Sequence, residues 1–99
     1  MNLYLISQDA NDGYDTYDSA VVAAKSENDA RTINPSEYVT HVTNGQWMGT
    51  FKAGARKGQE YNQDSHSWVR YSNINIIKVK YLGLTKMDRG LILSSFNAG

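Results

Sequence analysis

Cysteine is absent from the 99 residues, which excludes disulfide stapling, thiolate metal sites and thiol nucleophiles. The single proline, Pro35, leaves most of the chain free to form regular structure. No apolar run approaches the ~18–20 residues of a membrane-spanning helix. The N-terminal MNLYLISQD lacks a basic segment and reaches Asp9 too soon for a secretory leader. Together these absences lead to the expectation of a cytosolic protein. Net charge is lacking too: ten basic residues balance ten acidic ones. A general nucleic-acid binder needs a dominating positive field, which this balance does not supply.

The zero conceals an asymmetry. Residues 1–40 hold seven acids against Lys25 and Arg31, a balance of −5, whereas 41–99 hold eight bases against Glu60, Asp64 and Asp88, a balance of +5. Asp9, Asp12, Asp15 and Asp18 crowd into one stretch, with Tyr14 and Tyr17 between them. Carboxylates steer an approaching basic partner, and tyrosines supply rigid contact area. Asp12, Tyr14, Asp15, Tyr17 and Asp18 are therefore the first candidate partner-binding residues. Lys52, Arg56 and Lys57, spaced by Gly54 and Gly58, form a second, basic candidate suited to a phosphate backbone or an acidic protein surface.

At 99 residues the chain fits one domain with a thin core. Leu3 and Leu5 alternate with Tyr4 and Ile6, the period-2 pattern of a strand. A polar loop at 9–15 leads to a second strand over 16–25, whose small residues (Ala20, Ala23, Ala24) suit a helix packed closely across it. Ser26 then offers an N-cap, with Asp29 three residues on as the acidic arm of a capping box. Pro35 disfavours helical geometry at Asn34, so the helix is expected over 27–33 with Ala30 and Ile33 inward. Asn44-Gly45 between β-prone runs at 38–43 and 46–51 is a strong hairpin signal. A polar, flexible loop is expected at about 52–67, then strands at 68–71, 76–82 and 91–96. The expected fold is α+β: a small twisted antiparallel sheet in β-β-α-β-β-β-β order, one short helix packed on one face and the other face partly open.

Motif chemistry is sparse. The acidic stretch fails the calcium-loop pattern, because Gly13 falls at the fifth position and Ala20 at the twelfth. KAGARKG at 52–58 is no P-loop. His41, His66 and Asp64 have no metal-site spacing, and no GxSxG elbow marks a serine hydrolase. Trp47 and Trp68 suit core positions more than base-stacking platforms. The expectation is a protein that is not an enzyme and needs no metal or cofactor.

LYLISQ at 3–8, YDTYDSAVVAA at 14–24, Ala30-Arg31, IKVKYLG at 77–83 and SSFNAG at 94–99 resemble a family of small tailed-bacteriophage and prophage proteins without an established activity. The resemblance spans both ends of the chain and omits 36–67. It implies a phage accessory protein of the kind that inhibits host systems, including anti-CRISPR and other anti-defence proteins. The partner implied is a host protein or ribonucleoprotein complex in the host cytoplasm, bound by a monomer or homodimer. The alternative is direct binding of nucleic acid or nucleotide through Lys52, Arg56, Lys57 and the lysine face of the 76–82 strand.

Overall fold

Alternation along the first two strands decides which way the main sheet faces. The computed structural model describes residues 1–11, 13–64 and 67–97. Strands β1 (Asn2–Ser7) and β2 (Thr16–Ala24) pair antiparallel, with Tyr4 opposite Val22 and Ile6 opposite Ala20. Directly opposed residues share a face, and these four are buried in one hydrophobic cluster. The alternate residues Leu3, Leu5 and Val21 lie on the reverse face, each half-buried. Strands β6 (Lys78–Leu84) and β7 (Gly90–Asn97) flank the pair, giving the antiparallel order β6-β1-β2-β7.

A second, smaller sheet of order β3-β4-β5 holds β3 (His41–Thr43), β4 (Gln46–Thr50) and β5 (Glu60–Asn62). The expected α+β class holds and the element order holds broadly, but five strands rather than four follow the helix, and the strands divide between two sheets. The β3–β4 hairpin turns at Asn44 and Gly45, both with positive φ (53° and 70°), as a two-residue primed turn requires. Trp47, Trp68 and Val69 join Ile33 and Ala30 in the same cluster as Ile6 and Val22. The core therefore lies between the layers, where Trp47 Nε1 donates to the Val69 carbonyl at 2.9 Å.

Helix α1 (Glu27–Ala30) starts where Ser26 marks it, the Ser26 hydroxyl accepting from the Asp29 N–H at 3.1 Å. Asp29 returns a bond to Lys25 N (2.9 Å) rather than to Ser26, one residue earlier than a capping-box glutamate reaches. The helix ends at Ala30, short of the expected 33. Thr32 and Ile33 N–H groups turn to carbonyls three residues back, and the Thr32 hydroxyl takes the Asp29 carbonyl at 2.6 Å. Ala30 and Ile33 are nevertheless buried as expected.

Four further boundaries differ, the simplest being the strand expected at 76–82, which runs over Lys78–Leu84 because Ile76 closes a 3-10 helix. The expected strand at 38–43 begins only at His41, because the Asn34 and Ser36 side chains bond the Ser36 and Tyr38 N–H groups and curl the chain. The expected loop at 52–67 contains β5, and its first part is a hydrogen-bonded turn with Gly58 N on Phe51 O and Gln59 N on Arg56 O. The expected strand at 68–71 is irregular chain, buried at Trp68 and Val69 and exposed at Arg70, that leads into a 3-10 helix, Tyr71–Ile76. Its carbonyl at Val69 goes to the Trp47 indole, and its N–H at Tyr71 to Asp64 (3.1 Å), not to a neighbouring strand.

Candidate functional site

The β1–β2 connection is pinned at its base and bare at its tip. Gln8 Nε2 donates to the carbonyls of Tyr17 (2.9 Å) and Ser67 (3.2 Å), and the Tyr17 N–H donates to Ser67 O at 2.9 Å. The Thr16 hydroxyl closes the turn onto the Gly13 carbonyl at 2.6 Å. Asp15 adopts a left-handed conformation (φ 59°), and its N–H donates to Asn97 O at the end of β7. Asn97 Nδ2 in turn donates to the Asp18 carboxylate at 2.8 Å. Two carboxylate-bearing residues are thus fixed by the last residue of β7.

The five acidic-loop candidates separate in this frame. Tyr14 stands 77% exposed beside exposed Asp15, and Asp18 is exposed on β2. Tyr17 instead packs on the core and meets Phe96 edge-on, ring centroids 4.7 Å apart. It supports the loop from beneath. Asp12 lies outside the described residues, as does His66. Asp9 is drawn away to β6, where Lys78 Nζ stands 2.9 Å from its carboxylate. That hydrogen bond and the lysine charge hold the Asp9 carboxyl below its ordinary value.

Beside this loop lies a notch of about 300 Å³ lined by Ala10, Asn11, Trp68, Arg70 and Ile76. Ile76 is exposed at its rim, and the buried Trp68 indole N–H has no partner among the described residues. A larger cleft, about 420 Å³, opens between the 32–42 segment and the start of β7, with Trp47, Ile33 and Leu91 among its walls. Near it Thr40 Oγ1, the His41 ring and Glu60 form an exposed chain of two 2.7 Å contacts. Arg89 at the cleft edge is committed to the Asp29 carboxylate (2.9 and 3.0 Å) and to Thr32 Oγ1 (2.8 Å).

The basic candidates Lys52, Arg56 and Lys57 are all exposed on the β4–β5 connection, with the Arg56 guanidinium 5.6 Å from the centre of the Phe51 ring. They belong to the smaller sheet. The lysine face of β6 is a separate group, opposed to β1 across the main sheet, and Lys78 there is already paired.

Sequence reading did not single out Phe96, Asn97 or the apolar residues of the edge strands. Among the described residues twelve large apolar side chains stand exposed, and seven of them (Tyr81, Leu82, Leu84, Met87, Leu91, Leu93, Phe96) fall within 81–96. In space they divide between β6 and β7, the two opposite edges of the main sheet, and the connection that joins them. The available signal was a closing strand, LILSSF, that carries no charge at all. No protein-family model matches the chain, and neither a curated protein nor a solved structure matches it.

Proposed function

We propose that this chain is a non-enzymatic binding protein whose acidic tyrosine loop occupies a basic surface on a host defence or nucleic-acid-handling complex. The anti-defence assignment is the one that the phage-like residues imply. The observation that carries the binding role is the contrast between neighbouring tyrosines. Tyr17 packs against the core, while Tyr14 is held out 77% exposed beside Asp15, whose N–H bonds the Asn97 carbonyl, and near Asp18, whose carboxylate accepts from Asn97. A loop whose backbone is already held loses less conformational entropy on docking, and the flanking negative charge accelerates encounter with a cationic surface. The adjacent notch at Trp68 and Ile76 gives a partner side chain somewhere to seat.

The test uses three baits in host lysate: wild type, Tyr14→Ala, and Asp15→Asn/Asp18→Asn. Asparagine keeps the left-handed conformation at residue 15 accessible. A specific complex retained by wild type and lost by Tyr14→Ala is the expected result. With the purified complex, the double variant should associate more slowly with a flatter salt dependence, and Tyr14→Ala should chiefly dissociate faster. A complex bound equally by all three would overturn the loop assignment. Salt-sensitive binding of a labelled oligonucleotide, abolished by Lys52→Ala/Arg56→Ala/Lys57→Ala, would establish the nucleic-acid alternative instead.

A further inference from the structure

Among the described residues four strands form the sheet edges, and they are not alike. The small sheet is bounded by β3 and β5, each three residues long, too short to template another strand. On the main sheet, β6 carries Lys78 and Lys80, and its pairing with β1 is broken by a bulge next to Gly83, whose φ is 142°. Those are the devices by which edges are kept from pairing. The fourth edge, β7, has none of the chemical ones: GLILSSFN is eight residues long, uncharged and free of proline. Its register against β2 shifts twice, at Ile92 of β7 and at Asp18 of β2 between the Ser95 and Phe96 pairings, and Gly90 at its start has a φ of 147°. Leu93 on this strand is 65% exposed and Phe96 44%.

We propose that two copies of this chain join β7 to β7 across a two-fold axis normal to the sheet, making one continuous eight-stranded antiparallel sheet. An exposed edge presents a row of main-chain donors and acceptors, and only another extended strand matches their spacing. A two-fold axis of this orientation makes the pairing antiparallel and leaves each face continuous across the junction. Leu93 lies opposite Val21, and Val21 opposite Leu5, so the reverse-face aliphatic groups of both copies merge into one patch.

A second copy is the occupant favoured by charge. The chain is formally neutral, so no overall repulsion resists self-association. Pairing centred on Ser95 sets Asn97 of one β7 opposite Leu93 of the other, so the two uncharged strands meet without burying a charged side chain of either. Tyr14 precedes Thr16, the residue paired with Asn97, and so projects past the strand pair with its access to a further partner intact. The dimer would present two such loops at opposite ends of the joined strands.

Sedimentation equilibrium over a wide concentration range tests this. Wild type is expected at twice the chain mass, and Leu93→Lys at the single chain mass with an unchanged far-UV circular dichroism spectrum. Because one variant can fail to fold, a cross-link provides a second reading. In a chain without cysteine, Ser95→Cys should oxidise to a covalent dimer, since facing strands bring paired positions within disulfide reach. Leu84→Cys, 82% exposed on the opposite edge, should remain uncross-linked. A single chain mass for wild type at every concentration would overturn the proposal. So would open-ended assemblies, a cross-link at 84 in place of 95, or a dimer that both persists in Leu93→Lys and fails to cross-link at 95.

Discussion

Two tryptophans show how much one hydrogen bond separates residues that composition treats alike. Trp47 is 2% exposed and Trp68 1%, and both sit in the same cluster. The Trp47 indole N–H holds the Val69 carbonyl, whereas that of Trp68 is buried without a partner among the described residues. Replacing Trp47 by Phe therefore leaves a buried carbonyl unsatisfied, a loss of about 1–3 kcal/mol beyond the packing change. Replacing Trp68 by Phe removes a polar group that was already unsatisfied. We expect Trp47→Phe to lower the denaturant midpoint clearly more than Trp68→Phe. Equal shifts would show that packing alone sets the cost at both sites. Gly49 is constrained by space instead: a Cβ there would come within 2.4 Å of the Tyr38 carbonyl oxygen, so the chain of β4 can lie close to the 36–40 turn only with glycine.

At the scale of elements, α1 is too short to stand alone and depends on what holds its ends. Ser26→Ala should cost about 0.5–2 kcal/mol by removing the acceptor for the Asp29 N–H. Asp29 has a second task. Burial pushes its carboxyl up, but the Lys25 N–H, the Arg89 guanidinium and the Lys25 charge outweigh this and hold it below its ordinary value of 3.8. A carboxylate with a depressed folded value stabilises the protein above its unfolded value, and that contribution is lost as pH falls through the folded one. Acid should accordingly unfasten α1 from the β6–β7 connection, where Arg89 lies. The stability gap between wild type and Asp29→Asn, measured by denaturant titration, should be widest near neutral pH and close below about pH 4. A gap independent of pH would mean that the Arg89 pairing contributes nothing. Elements signalled by local chemistry were legible in the sequence: the Ser26 cap, the Asn44-Gly45 turn, the alternation in β1, and the neutral run of β7. Those decided by distant contacts were not. The strand expected at 68–71 has the right residue types, but Trp68 and Val69 serve burial between layers, and among the described residues no strand pairs with them. Of the candidate site, the acidic loop was legible as a cluster of charge and aromatic rings. Its division into an anchored Tyr17 and a bare Tyr14 depends on Phe96, about eighty residues away in the chain, and no local pattern encodes that.

For the molecule as a whole, the question is whether two sheets make one folding unit or two. Neither sheet buries its own hydrophobic face. Ile6, Val22 and Ala20 of the main sheet are covered by Trp47 of the small sheet together with Trp68 and Val69, all in one cluster. The small sheet has only three strands, two of them three residues long, and so depends on packing its apolar face against the rest of the core. Removing either layer thus exposes the apolar side of the other, and the free energy of each depends on their contact. We expect a single two-state transition in which tryptophan fluorescence, reporting the inter-layer core, and far-UV circular dichroism, reporting all strands, superimpose across a denaturant series. The acidic loop shares in that cooperativity through its ties to Ser67 and Asn97, one from each side of the interface. Its order is then a property of the whole fold. If fluorescence changes at lower denaturant than the dichroism, the 41–76 region opens as a separate unit, and the loop loses its Ser67 anchor before the main sheet melts.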